Sequence, residues 1–153
     1  MAVAFWEQTN AIIYNLLIGI SSLALEKTLS EDILKLGGAT YLCSLICSLK
    51  SLTMAEDDEY PKDLAEGITA SIWNLALVDS VKRYILTPSL SSIDTKLLIE
   101  KLIILSNSKF ANIKKNAANI IQILSSKTFD EDASDVAQNG STPRKTQDGD
   151  QSL

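Results

Sequence analysis

Residues 68–86, with the sequence ITASIWNLALVDSVKRYIL, decide the fold. Apolar side chains recur there at helical spacing, because Ile68, Ile72 and Leu75 lie at positions i, i+4 and i+7. A charged turn then leads into a second, shorter apolar run that stops before Pro88. The stretch therefore predicts an amphipathic helix followed by a short second helix.

The register of this helix recurs on both sides of it. An alanine precedes an asparagine or glutamine by four residues at three places, which are Ala11 with Asn15, Ala70 with Asn74, and Ala118 with Gln122. Apolar stripes predict further helices, and no segment alternates like a strand. The predicted helices cover residues 5–25, 30–36, 39–52, 64–78, 81–86, 93–105 and 113–124. A single group of two or three of these helices cannot bury all of its apolar faces. The pattern therefore predicts that neighbouring groups stack into a helical array.

Local signals predict how the helices begin and end. Ser30, before two acidic residues, is typical of a helix N-cap. The pair Gly37 and Gly38 predicts a sharp corner between two helices, since glycine adopts positive φ without strain. The four consecutive acidic residues 56–59, followed by Tyr60 and Pro61, predict an acidic loop over residues 53–63.

The core ASIWNLA at residues 70–76 and the run ANIIQIL at residues 118–124 resemble the third helix of an armadillo repeat. The resemblance extends over most of the chain and implies an all-α fold. It implies an armadillo-like α-solenoid, a right-handed superhelix of about two and a half to three repeats, over residues 1–126. The polar composition of residues 127–153 predicts a disordered, acidic tail after the array.

In armadillo family members that bind extended peptides, asparagines on the third helices line a groove and hydrogen-bond the ligand backbone. The resemblance places Asn15, Asn74 and Gln122 at these protein-binding positions, with Trp73 beside them. The position four residues earlier is alanine each time, so the family's tryptophan ladder is absent and import-signal recognition is not expected. An alternative stays open, in which Asn15 and Asn74 bond backbone within the stack and Trp73 packs in it.

Composition argues against catalysis. The chain has no histidine, which removes the commonest general base and metal ligand at neutral pH. No nucleophile with a base, phosphate loop or metal-ligand cluster is visible, so we expect no enzyme activity, no cofactor and no metal. Cys43 and Cys47 are four apart in an apolar run, which predicts reduced, buried thiols and a reducing compartment.

The charge distribution argues against a nucleic-acid partner, and the hydropathy argues against a membrane span. The net charge is −5, and residues 127–153 carry −3 of it through six acidic and three basic residues. The basic pairs, Lys114-Lys115 among them, are interpreted as solvated, so no nucleic-acid partner is expected. Residues 8–25 lack charge, but polar side chains interrupt them and no basic region precedes them. They predict a buried helix and neither a membrane span nor a signal peptide.

The sequence therefore predicts a non-enzymatic protein–protein adaptor or scaffold, located in the cytoplasm or in both cytoplasm and nucleus. Its partner is a protein, either an extended peptide or another armadillo array. The alternative is a truncated isoform or fragment of a larger armadillo-repeat protein that acts by stacking on another array. A third class, a small helical enzyme or lipid-binding bundle, lacks a catalytic constellation. In the tail, Thr142-Pro143 resembles a proline-directed phosphorylation site.

Overall fold

The computed structural model describes residues 2–49 and 59–126, and the side chains of residues 11–49 and 62–126. Every regular element in these ranges is an α-helix, and no strand occurs within them. The elements are α1 (Ala2–Leu23), α2 (Lys27–Lys35), α3 (Gly38–Ser48), α4 (Glu59–Ala76), α5 (Asp79–Leu86), α6 (Pro88–Ser91), α7 (Thr95–Ser106) and α8 (Ala111–Ser125). The predicted all-α class is confirmed for this part of the chain. The predicted tail and Thr142 lie outside the described residues.

The corner between α1 and α2 corrects one prediction. The N-cap of α2 is Glu26, whose carboxylate accepts a 3.3 Å hydrogen bond from the backbone N–H of Leu29. Ser30, the predicted N-cap, lies inside α2 and is fully buried. Its hydroxyl donates a 2.9 Å hydrogen bond to the carbonyl of Ala24. The N-cap prediction was wrong because this hydroxyl bonds backwards across the corner instead of to the helix start.

The predicted glycine corner between α2 and α3 is confirmed. Gly37 has φ +80°, the left-handed region that other residues enter at a cost. Gly38, the first residue of α3, allows close packing instead. A Cβ atom there would lie 2.6 Å from Cγ2 and 3.0 Å from the carbonyl oxygen of Ile33. Each glycine is therefore needed for a different physical reason.

Two prolines lie at helix starts. Helix α4 begins at Glu59, so the loop predicted to reach residue 63 is wrong for residues 59–63. Pro61 is in the first turn, where its missing N–H has no intrahelical acceptor to lose. Helix α5 ends before Pro88, as predicted, but Pro88 then opens the short helix α6. Residues 50–58, the rest of the predicted loop, lie outside the described residues.

Helix α4 is the centre of the packing. It contacts α1 and α8, and it also packs on α3 and α5. Two further pairs extend the contacts: α2 packs on α5, and α3 packs on α7. The aliphatic interior continues through these helices, and its largest fully buried members are Leu42, Ile46, Ile68, Ile72, Leu75, Ile85, Leu98, Leu102, Leu105, Ile113 and Ile120. Among the described residues, no helix combines the length and apolar character that crossing a membrane requires.

Candidate protein-interaction face

Helices α4 and α8 run side by side in the same direction. The Asn112 amide donates a 2.7 Å hydrogen bond to the Glu66 carboxylate. One turn further along both helices, the buried Asn116 amide donates a 3.3 Å hydrogen bond to the Thr69 hydroxyl. The two bonds advance together along the chain, which fixes the helices as parallel and sets their register.

Helix α1 lies parallel to α4 as well, on another side of it. The buried Ser71 hydroxyl lies 3.0 Å from the carbonyl oxygen of Leu17. Further along both helices, the Asn74 amide nitrogen is 2.8 Å from the carbonyl oxygen of Ser21. Gly67 makes this approach close, because a Cβ atom there would lie 3.1 Å from the Cβ of Leu17. Helices α1, α4 and α8 thus form three parallel neighbours with α4 in the middle.

The outward side of α4 carries a stripe of side chains that the other helices cover only in part. Its members are Glu66, Ala70, Trp73, Asn74 and Leu77, and all are half-buried except Leu77, which is exposed. We call this stripe, with its neighbours on α1 and α8, the three-helix face. The neighbours that contact or line it are Tyr14, Ile18 and Ser22 on α1 and Asn112 and Lys115 on α8. Helical spacing adds Asn15, at i, i+3 and i+7 with Ile18 and Ser22, and Ala118 and Gln122, three and seven residues after Lys115.

Asn74 is bonded within the face. Its Nδ2 donates to the carbonyl oxygen of Ser21 at 2.8 Å and lies 3.0 Å from the Ser21 hydroxyl oxygen. The same side chain lines an open pocket of about 290 Å³ at the end of α4, which Lys27 and Leu77 also line. Asn74 therefore joins α1 to α4 and also borders surface that a ligand can reach.

The other predicted polar residues stand apart from Asn74. Asn15 and Gln122 are exposed, and within the described part of the chain the side-chain amide of neither makes a hydrogen bond. Ser21, not Asn15, lies beside Asn74. Asn15 is six residues earlier on α1, which is about 9 Å along a helix axis. The structure thus does not bring Asn15, Asn74 and Gln122 into contact with one another.

Trp73 is half-buried and packs against the core. Lys115 of α8 places its Nζ 5.7 Å from the centroid of the Trp73 ring, within the range of a cation–π contact. Near the other end of the face, Lys62 and Lys109 each place Nζ 5.3 Å from the centroid of the Phe110 ring. Two aromatic rings along the α4–α8 boundary thus make cation–π contacts with three lysine ammonium groups.

Sequence reasoning missed this lysine cluster. It interpreted the pair Lys114 and Lys115 as solvated, and both are exposed, but it did not foresee the contact of Lys115 with Trp73. The cluster arises from register: the parallel packing of α8 on α4 brings Lys115 over Trp73. The available sequence signal was the pair Lys109-Phe110, which lies immediately before α8 and four to five residues before Lys114.

A shallow groove separates α1 from α4 on the same face. It encloses about 140 Å³ and is lined by Tyr14, Ile18, Ser21, Ser22, Glu66, Gly67 and Ala70. The lining combines one aromatic ring, small side chains and one carboxylate. Such a groove accommodates a side chain from a partner and is too small for most metabolites.

Among the described residues, no group of acidic, cysteine or histidine side chains could hold a metal ion. Both cysteines are free thiols. Burial, with a smaller contribution from the neighbouring Cys47, raises the pKa of Cys43 to about 12. Partial burial and then the Asp94 carboxylate raise the pKa of Cys47, although Lys101 opposes the shift. Neither thiol is activated as a nucleophile, because nucleophilic cysteines have lowered pKa values.

Comparison of the chain with protein-family models, curated proteins and solved structures finds no match. The functional conclusion therefore rests on the geometry of the described residues.

Proposed function

We propose that this chain is a non-enzymatic adaptor that binds a protein segment on the three-helix face. The observation that carries the proposal is the parallel alignment of α1, α4 and α8, which leaves the stripe from Glu66 to Leu77 facing solvent between two flanking helices. A surface of this kind offers hydrogen-bonding groups, an aromatic ring and cations at helical spacing. These are the contacts by which proteins recognise peptide segments.

The order and packing of the helices support an armadillo-like array. A short helix, a middle helix and a long helix occur in the order α2, α3, α4, and again in the order α5, α7, α8. Corresponding helices pack on one another, since α2 contacts α5, α3 contacts α7, and α4 contacts α8. Helix α1 packs on α4 as the long helix of a preceding unit would. This pattern supports an α-solenoid of about two and a half to three repeats.

The chemistry of the face supports binding over catalysis. Its charged groups are engaged with aromatic rings or amides: Lys115 lies over Trp73, and Glu66 accepts from Asn112. The thiols have raised pKa values, as described above. They also favour a reducing compartment, and we assign the adaptor to the cytoplasm, or to cytoplasm and nucleus.

Substitutions on exposed positions of the face test the proposal without disturbing the core. Ala118 and Gln122 are exposed on α8, so the double variant A118R/Q122R keeps the fold and blocks the surface. The control S89R alters an exposed residue of α6, away from the face. Proteins retained from cell extract are quantified by mass spectrometry for the three chains. The adaptor function requires that specific partners are lost with A118R/Q122R and kept with S89R. Equal retention by all three chains would contradict it.

A second candidate function is stacking on another helical array, and the exposed side of α1 favours it. Ile12 and Leu16 are each 61% exposed, and Leu23 is 51% exposed. Together with Gly19 they form one uncovered stripe at i, i+4, i+7 and i+11. In an array, the adjoining repeat covers such a stripe, because terminal surfaces of solenoids are otherwise polar. A neighbouring array, or a second copy of this chain, is the occupant that this stripe fits.

A further inference from the structure

Lys114 and Lys115 of α8 lack acidic partners in the described structure. Lys114 and Lys115 are both exposed, and the ion pair found among the described residues is the distant pair Lys35–Asp32. Lys115 contacts the Trp73 ring, and Lys114 precedes it on α8. Lys114 and Lys115 are thus two consecutive exposed positive charges on α8, of which Lys115 belongs to the three-helix face.

An acidic segment of the same chain lies within reach of these charges. After Ser126, residues 130–135 contain Asp130, Glu131, Asp132 and Asp135, in a chain whose net charge is −5. Lys115 is eleven residues before Ser126, or about 16 Å along the axis of α8. An extended chain advances at most about 3.3–3.6 Å per residue, so Glu131 and Asp132 reach about 17–22 Å from Ser126. The span from Ser126 to the lysines matches the position of these acids.

The end of α8 fixes where this segment starts. Lys82 of α5 is buried, and its Nζ donates hydrogen bonds to the carbonyl and hydroxyl oxygens of Ser126, the latter at 2.9 Å. The backbone of Ser126 is already extended, with φ −73° and ψ 143°. The last described residue of the chain is therefore anchored to α5.

We propose that the acidic segment 130–135 docks on Lys114 and Lys115, the second of which lies over Trp73, at the α8 side of the three-helix face. The contact is intramolecular, so its effective concentration is in the millimolar range and no second molecule has to be recruited. The docked segment competes with any partner of that face. This regulatory meaning rests on the proposed function, whereas the docking itself does not.

Nuclear magnetic resonance of the full chain tests the docking directly. The variant D130N/E131Q/D132N/D135N removes the charges without changing the length of the chain. We expect the Trp73 indole N–H and the backbone N–H groups of Lys114 and Lys115 to shift in this variant. The matched control D148N/D150N neutralises acids farther along the same segment of chain and leaves these resonances in place. Salt at about 0.5 M, where the Debye length is only about 4 Å, shifts the natural chain the same way and leaves the variant unchanged.

Reciprocal substitutions complete the test. K114Q/K115Q shifts the resonances of residues 130–135, because the exposed lysines are removed without altering the core. The result that overturns the proposal is the absence of any shift at Trp73, Lys114 and Lys115, or an equal shift in D148N/D150N. Shifts that appear instead in E56Q/D57N/D58N identify a different acidic segment as occupant and also overturn it. Shifts that depend on protein concentration place the segment on a second copy, which contradicts an intramolecular contact. Partner binding is measured separately, so failure of the docking leaves the proposed function standing.

Discussion

Asn74 completes the C-terminal end of α1. The last turn of an α-helix leaves four carbonyl groups without intrahelical donors. In α1, the carbonyls of Ile20, Ser22 and Leu23 accept from the N–H groups of the residues that follow the helix. The remaining carbonyl, that of Ser21, accepts from Asn74 Nδ2 at 2.8 Å. One side chain of α4 thus satisfies α1 and fixes the register between the two helices.

The substitution Asn74→Ala should therefore destabilise the fold. It leaves a half-buried carbonyl without its donor, and we expect a loss of about 1–2 kcal/mol in the free energy of unfolding. Asn15→Ala is the matched control, because it shares the gain in helix propensity but removes no hydrogen bond. Urea unfolding at one protein concentration measures both. Equal stabilities of the two variants would show that the Ser21 bond contributes nothing.

Two glycines should respond to alanine in opposite directions. Gly38→Ala places a Cβ atom 2.6 Å from a methyl carbon of Ile33, a β-branched residue with little rotamer freedom, and we expect a loss of about 1–3 kcal/mol. A Cβ at Gly19 meets nothing within 4 Å. Gly19→Ala should stabilise the helix interior by about 0.5–1 kcal/mol. Thermal unfolding shows whether each variant is more or less stable than the natural chain. A stabilised Gly38→Ala would contradict the packed corner between α2 and α3.

The thiols should differ in reactivity toward iodoacetamide. Cys43 is fully buried and its pKa is raised to about 12, so little thiolate exists below pH 9. Cys47 is only half-buried, so iodoacetamide reaches its sulfur more easily. At pH 8 we expect alkylation of Cys47 first, and of Cys43 only at the rate of unfolding. Mass spectrometry of peptides after timed labelling measures the alkylation rate of each cysteine. Faster labelling of Cys43 than of Cys47 would contradict the burial of Cys43.

The same pKa shift predicts how stability depends on pH. The folded chain holds the Cys43 proton up to about pH 12, whereas the unfolded chain releases it near pH 9. The stabilisation is complete below pH 9 and is lost as the pH rises from 9 through 12. Cys43→Ala removes this contribution. The stability difference between the natural chain and Cys43→Ala should therefore shrink over that range, and a constant difference would contradict the shift.

The exposed stripe of α1 predicts self-association or stacking. The variant I12K/L16K places charges on two exposed positions, so it should keep the fold and abolish any concentration-dependent increase in mass. Leu36→Lys is the control, since Leu36 is 87% exposed but ends α2 outside the stripe. Light scattering coupled to size exclusion measures the mass across a hundredfold range of concentration. A natural chain that stays monomeric throughout would remove the support for stacking between copies.

Periodicity predicted most helices because the apolar stripes are long and unambiguous. The helix expected at residues 113–124 is α8 (Ala111–Ser125), and the glycine corner was predicted from the requirement for positive φ at Gly37. The helix ends were less predictable, because a polar side chain has several acceptors in reach. Ser30 bonds to the carbonyl of Ala24 across a corner, and no local pattern distinguishes that bond from an N-cap.

The candidate site was less accessible from sequence than the fold. Trp73 and Asn74 were identified as site residues and lie on the three-helix face, but their contacts come from other helices. The offset that places Ser21 beside Asn74 depends on how closely Gly67 lets α1 approach, and Lys115 meets Trp73 only through the register of α8 on α4. Such offsets are set by tertiary packing. Spacing along one chain therefore predicted the helices and missed the lysine cluster.

Photocrosslinking at single positions tests most directly whether the three-helix face binds protein. A benzophenone amino acid replaces Ala118, exposed on the face, or Ser89, exposed on α6, in the full chain expressed in its native cell type. The adaptor account predicts a discrete adduct with the same protein at Ala118 in repeated experiments, lost when unlabelled chain is added in excess, and no such adduct at Ser89. No adduct at Ala118, or the same adducts at both positions, would contradict it.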